Sequence, residues 1–393
     1  MTRFGTNRRG TVLYGLVTLA AALTLGPVPA QAHDASAYGG VFRSRNAGGT
    51  WLNADTGLFL NAALTVAVDP HDPAHLLLGT DNGLLRSFNG GRSWAPEAKE
   101  VVLGAVFAAT FAPNSPVILC AAPSGVFRLS EGRWERSSIP AGAAPGRTIA
   151  FGAKLGRVYL LGRSGLFESS DQGQSFVPLD PPLGATGDVT ALAVSAMPDE
   201  TLFILTGGVL LASLDGGVHW ERRGADMGPL ETVLFDQMLS GRLWTAGRGV
   251  LFASDDLGRH WRTAGRLPDS NTVVRGVAAD GVRIIVTSDR GMYISPDEGR
   301  TWQLEESGLP AHIEAGPLAR DPSDRRTLYA VYSLMPYPEV WRAALEGGNL
   351  LARVDATQLV AGSAFMLLLL LGGATLVRWL ATPTHPISKR RAR

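Results

Sequence analysis

Along most of the chain, short apolar runs alternate with polar, glycine-bearing turns, which is the rhythm of short strands joined by tight connections. Residues 63–94 show the unit. Leu64-Thr65-Val66-Ala67-Val68 predicts a strand that stops at Asp69-Pro70-His71-Asp72-Pro73, where proline both enforces and limits a turn. A second strand is predicted from His75 to Gly79, a turn at Thr80-Asp81-Asn82-Gly83, and a third strand from Leu84 to Ser87. Ser87 to Trp94 then forms a hairpin into a fourth strand. Four antiparallel strands of this kind make one blade.

The hairpin phrase, Ser-x-Asp/Asn-x-Gly-x-Thr/Ser-Trp, recurs along the chain. Its key positions are Ser44, Asn46, Gly48 and Trp51, then Ser87, Asn89, Gly91 and Trp94, then Ser169, Asp171, Gly173 and Phe176. It returns at Ser213, Asp215, Gly217 and Trp220, at Ser254, Asp256, Gly258 and Trp261, and at Ser295, Asp297, Gly299 and Trp302. A shortened copy, Leu129-Ser130-Glu131-Gly132-Arg133-Trp134, stands between the second and third of these. The closing aromatics are separated by 43, 40, 42, 44, 41 and 41 residues. Such a period, with several short strands per repeat, predicts an all-β propeller. The first unit, Gly39 to Trp51, offers only two strands, and Ile313 to Tyr332 offers a first pair with Asp321-Pro322-Ser323-Asp324 as its turn. Joining the two closes a seven-bladed ring of four-stranded antiparallel blades and removes open sheet edges. A competing strand from Glu339 to Ala344 would complete the last blade differently and give eight.

Each residue of the phrase has a structural task. The Asp or Asn side chain can accept nearby backbone N–H groups and the hydroxyls, Gly supplies φ > 0, and Trp offers area to wedge between blades. These positions are read as scaffold.

The phrase resembles the Asp-box (bacterial neuraminidase) repeat of sialidases, sortilin-type receptors and the photosystem II assembly and stability factors. The resemblance covers roughly residues 39–335, and with Asp-Pro-x-Asp-Pro between strands 1 and 2 it is most similar to the assembly-factor group and its bacterial relatives. It implies a propeller that binds a protein or peptide and assists assembly of a membrane complex. The sialidase branch implies the alternative, exo-hydrolysis of an anionic sugar. That branch usually carries an early Phe/Tyr-Arg-Ile-Pro segment, where this chain has Val41-Phe42-Arg43-Ser44. It also needs a Tyr nucleophile with a Glu partner and an acid; Tyr329, Tyr332 and Tyr337 are late enough, and no residue identifies the acid.

Both ends carry addresses. Arg3, Arg8 and Arg9, an apolar stretch from Val12 to Leu25 and Ala30-Gln31-Ala32 predict a signal peptide over residues 1–32. The propeller is expected over 33–350 and a linker over 351–358. Leu359 to Val377 runs without a charge and, as a helix, would span about 28 Å, near the hydrocarbon thickness. A transmembrane helix is therefore expected over 359–380, followed by a basic tail, 381–393, on the cytoplasmic side. The expected topology is a single pass in the cytoplasmic membrane with the propeller extracytoplasmic.

Charge sharpens this picture. Between His33 and Ala356 lie all 35 acidic residues and only 28 of the 36 basic ones, opposite in sign to a nucleic-acid protein. Cys120 sits alone in an apolar run, as a buried core thiol would. The His residues are scattered and no phosphate loop follows the glycines, so neither metal nor cofactor is expected.

In an up-and-down blade the phrase and the strand 1–2 turns share one face of the disc. The strand 2–3 turns and inter-blade linkers share the other, which makes it the candidate binding face. There Arg163, Arg248 and Arg290 are expected to converge on the channel rim and grip a carboxylate or acidic peptide. Arg43, Arg86 and Arg128, at one strand-3 position in consecutive units, are a second candidate, a docking stripe.

Overall fold

The computed structural model describes residues 39–346, apart from 56, 181–187, 196–199 and 225–226. They form seven four-stranded antiparallel sheets. Six are continuous in sequence: blade 1 (63–97), blade 2 (108–136), blade 3 (148–178), blade 4 (189–223), blade 5 (232–266) and blade 6 (274–304). Blade 7 is composite. Gly40–Ser44 pairs with Leu328–Ser333 in the register Phe42↔Ala330, with Leu52–Asn53 and Glu314–Arg320 on the flanks. The seam predicted from the two incomplete terminal units is thus formed.

First strands are innermost, and each meets the first strands of both neighbours around a closed ring. Second strands are sandwiched between adjacent blades. Leu76–Thr80, Ile118–Ala122, Val158–Gly162 and Leu202–Thr206 are buried at every position, which explains why they read as unbroken apolar runs. Cys120 lies in one of these strands, and burial pushes its thiol well above the usual range. Fourth strands, such as Leu52–Asn53 and Gln303–Leu304, are very short, which blunts the outer edges against pairing.

Two local departures matter. In blade 2 the shortened phrase is a two-residue hairpin turn, Glu131-Gly132, with φ of 52° and 77°. Both residues are left-handed, as the twist of a tight hairpin requires. The second departure corrects the eight-blade alternative. Glu339–Ala344 is no strand but lies within helix α1 (Tyr337–Leu345). Proline stands in its first turn, Glu339 complements the N-terminus and Arg342 the C-terminus, while Tyr337, Val340, Trp341, Ala344 and Leu345 follow helical spacing.

No helix among the described residues is long and apolar enough to cross a membrane. The signal expected over 1–32, the linker over 351–358, the span over 359–380 and the tail over 381–393 lie outside the described residues.

Candidate functional site

The two faces of the disc are built differently. On the phrase face, six copies adopt one hydrogen-bonded loop. The Ser hydroxyl donates to the Asp or Asn Oδ1 at 2.7–3.0 Å and accepts the Gly N–H at 2.7–3.0 Å. The same Oδ1 accepts the amide of the residue before the aromatic at 2.8–2.9 Å. The residue preceding the Gly is left-handed even where it is Ala47, Gln172, Leu257 or Glu298, with φ of 55–61°. Its N–H crosses to the strand 1–2 turn of its own blade, as from Glu298 to the carbonyl of Val282 at 2.8 Å. That bond offsets the left-handed strain and locks two turns together.

The aromatics wedge against the preceding blade. Trp51 packs with Ile285 of blade 6, and Trp94 Nε1 donates to the Ala54 carbonyl at 2.8 Å. In blades 4 and 5 the Thr slot holds His219 and His260, whose Nδ1 lies 2.6 Å from the box carboxylate. The backbone N–H of each His, aided by its ring, holds Asp215 and Asp256 well below the usual carboxylate range. Both oxygens of each of these carboxylates are engaged by the loop itself.

Arg43, Arg86 and Arg128 also engage partners within the propeller. Arg43 donates to the Gly90 carbonyl of the next blade's loop, and Arg128 Nε donates to the Gln172 carbonyl of the next blade at 3.1 Å. They staple neighbouring blades. Arg86 Nε donates to His75 Nε2 at 2.6 Å and Nη1 reaches Glu97 at 3.4 Å, while His75 Nδ1 meets Asp69 at 2.9 Å. Trp134 Nε1 from blade 2 completes this network on Glu97 at 2.6 Å. The half-buried guanidinium groups are aligned for blade-to-blade cohesion.

The linker face carries the mouth of the central channel, a cavity of about 330 Å³ walled by first strands. Arg163, Arg248 and Arg290 are exposed on the 2–3 turns of blades 3, 5 and 6, on this face as expected. They do not line the channel. A 2–3 turn joins the middle strands, and with strands about 4.8 Å apart it sits one or two strand widths outward. Arg290 also lies 3.7 Å from Asp269 and 3.8 Å from Asp289.

The cations at the mouth are instead Arg147 and Arg275, beside Glu231 and Glu314, at the start of first strands. Four of these strands shift register near their start, between Ala63 and Thr65, Val189 and Ala191, Val274 and Gly276, and Ala315 and Leu318. A bulge re-aims the extra residue, and here Leu64, Thr190, Arg275, Gly316 and Pro317 line the channel. Nothing in the period-two pattern marks that event. Arg275 Nε donates to Glu314 Oε1 at 2.8 Å, and Glu314 Oε2 accepts the amide of Tyr337 at 2.5 Å.

Helix α1 lies across this mouth. Val340 and Trp341 bury against Ala62, Leu64, Ala105 and Phe107 at the entries to blades 1 and 2. Arg147 of blade 3 stacks 4.3 Å from the Trp341 ring, and Arg275 of blade 6 stands 5.2 Å from the Tyr337 ring. Burial pushes the Tyr337 hydroxyl up to about 12. The mouth is therefore a two-cation, two-carboxylate rim partly roofed by aromatic rings. Among the described residues no cluster of His, Cys, Asp or Glu is arranged to hold a metal ion.

No family model matches the sequence, and no curated protein matches it. Solved structures do. YCF48 bound to D1 peptide superposes with a TM-score of 0.51 at 18% identity, over 70% of this chain and 93% of that one. YCF48 from Cyanidioschyzon merolae gives 0.55 at 16% identity, over 70% and 97%. The GH74 xyloglucanase from Xanthomonas campestris gives 0.52 at 19% identity, over 70% of this chain but only 54% of the enzyme. At such identities the likeness establishes a shared fold.

Proposed function

We propose that this chain is a membrane-anchored, extracytoplasmic propeller whose linker face binds a protein or peptide partner, in the service of assembling a membrane complex. One observation carries the reading: the phrase face is consumed by its own hydrogen bonds, whereas the linker face gathers the channel mouth and the exposed Arg163, Arg248 and Arg290. Exposed guanidinium groups can grip carboxylates bidentately, so an acidic segment fits the turns around the mouth. The likeness to a propeller solved with a bound peptide supports the same reading. The anchor is the apolar run 359–380, with its basic tail on the cytoplasmic side.

Hydrolysis of an anionic sugar is the alternative, and the tyrosines speak against it. Tyr329 and Tyr332 are buried in the blade 7 seam, while Tyr337, which does line the channel, is held by stacking on Trp341 and by Arg275, and burial keeps its hydroxyl protonated. A nucleophile must reach substrate.

The test is affinity capture of the full chain from detergent-solubilised membranes of its host. A partner retained by wild type and lost with Arg163→Ala/Arg248→Ala/Arg290→Ala is expected. Undiminished capture by the triple variant would remove these turns from the binding site. Release of a fluorogenic sialoside by the purified chain would favour the enzyme.

A further inference from the structure

The linker face carries a second feature that peptide binding does not use. Phe59 is 84% exposed, Leu103 58%, Leu334 42% and Val101 38%. All four stand on the two linkers and the segment that flank α1, with Val101 toward the outer edge against Lys99, Glu100 and Trp134. Phe59 belongs to the linker into blade 1, Val101 and Leu103 to the linker into blade 2, and Leu334 to the segment between blade 7 and α1. The Leu334 amide donates to the Asn61 carbonyl at 2.9 Å, and α1 packs on Ala62 and Ala105, the inner ends of the same two linkers. The phrase face also exposes apolar side chains, Phe88, Leu155, Val218, Leu239 and Val282, but these are dispersed one per blade over blades 1 and 3 to 6, with Leu52 and Val177 on fourth strands of blades 7 and 3. Single exposed apolar residues are ordinary, whereas a cluster marks a contact surface.

The path of the chain identifies what the cluster meets. Helix α1 ends on this face at Leu345, and the uncharged run begins at Leu359. The residues from 347 to 358 can reach at most about 40 Å even when fully extended. A run that crosses the bilayer therefore holds the α1 side of the disc close to the lipid surface. To present the phrase face instead, the same linker would have to pass around the rim and across the thickness of the disc.

We propose that the linker face is turned toward the bilayer, and that Phe59, Val101, Leu103 and Leu334 enter the interfacial layer of the membrane. Aromatic and aliphatic side chains on protruding loops gain by burial at the headgroup–acyl boundary, and the transmembrane run supplies the second anchoring signal. The channel mouth then opens sideways and downward at the membrane surface, and the partner it takes is a membrane-proximal segment rather than a soluble protein. This inference rests on the anchor reading made above.

The experiment uses the full chain reconstituted in phosphatidylcholine–phosphatidylglycerol vesicles doped with a headgroup-nitroxide lipid. Cysteines introduced singly as Phe59→Cys, Leu103→Cys and Leu334→Cys, and on the opposite face as Leu155→Cys and Val218→Cys, carry an environment-sensitive fluorophore. Native Cys120 is buried and stays unlabelled. The expected result is at least threefold stronger lipid quenching at 59, 103 and 334 than at 155 and 218. Equal quenching on both faces, or stronger quenching at 155 and 218, overturns the orientation. Alkaline carbonate extraction of the same vesicles reports the anchor separately: release of the chain defeats the anchor, while the quenching pattern still decides which face touches lipid. A Phe59→Ser/Leu103→Ser variant should remain carbonate-resistant while quenching at 334 falls at least twofold; unchanged quenching there would show that the apolar sector does not seat the face.

Discussion

The two faces of this disc solve opposite problems with the same strands. On the phrase face, six loops close upon themselves through Ser, Asp or Asn, and each is tied to the neighbouring strand 1–2 turn by a backbone bond. On the linker face, turns are short, charged side chains stand out into solvent, and a nine-residue helix lies over the mouth. An isolated helix of that length is marginal, so α1 depends on its packing and on the Glu314 contact. The lesson is that repetition marks what holds the ring, and irregularity marks where it can meet something else.

The two faces differ most in what a phrase glycine tolerates. Gly299 has φ of 86°, and a Cβ there would lie 1.6 Å from the Ala264 carbonyl oxygen. Gly299→Ala should cost about 3–5 kcal/mol in equilibrium unfolding, the scale of a buried clash with backbone strain. Gly165, on a linker-face turn with φ of 138°, has nothing within 4 Å of such a Cβ. Gly165→Ala should cost only the backbone strain, about 1–3 kcal/mol. Equal losses would show that the faces are not mechanically different.

Next in size is Trp341→Ala, which removes the contacts with Phe107 and Arg147. A loss of about 3 kcal/mol is expected, confined to the helix seat. Hydrogen exchange should show lost protection over 337–345 with the blades unchanged; loss spread through blade 1 would make α1 part of the ring's own core.

Acid should act on the phrase side first. Burial, together with the Arg86 guanidinium, holds His75 below its ordinary 6.5 despite Asp69 and Asp72. The folded protein thus prefers the neutral ring. Its stability contribution is present above about pH 6.5 and is lost as pH falls through the lower folded value. The depressed carboxyls of Asp215, Asp256 and Asp297, each held chiefly by the amide four residues on, add a second loss below their ordinary 3.8. Melting temperature followed from pH 8 to 3 should fall in these two stages, and His75→Gln should remove the first. A single transition unaffected by that variant would refute the assignment.

The smallest effect on stability belongs to Arg163→Ala/Arg248→Ala/Arg290→Ala. Each exposed substitution should change unfolding free energy by less than about 0.5 kcal/mol, while partner capture is abolished. A large destabilisation would make these residues scaffold, like Arg43 and Arg128.

Much of the fold was legible in the sequence because a repeat multiplies a weak local signal. One Ser-x-Asp-x-Gly-x-Thr-Trp hairpin says little, but six with closing aromatics near one period specify blades and their count. The shortened third copy even betrays its two-residue turn at Glu131-Gly132. Helix α1 was legible too, in the helical spacing of Tyr337, Val340, Trp341, Ala344 and Leu345 with Pro336 and Pro338 at its start, and the strand reading of 339–344 overlooked it. The candidate site was less legible. Arg163, Arg248 and Arg290 were placed on the correct face but too close to the axis, because a turn's face follows from strand order whereas its radius needs the ring.

By itself the sequence determined the blade, its repetition, its closure through the two ends and the division of labour between faces. Those properties depend on residue type and local spacing, through φ > 0 at glycine, caps on short side chains and alternating burial. Only the tertiary structure decided that bulges turn Arg275 into the channel, that Arg43 and Arg128 clamp the next blade, and that α1 covers the mouth with Trp341 against Arg147. Each of those contacts joins residues from different blades, whose relative placement is fixed only when the ring closes.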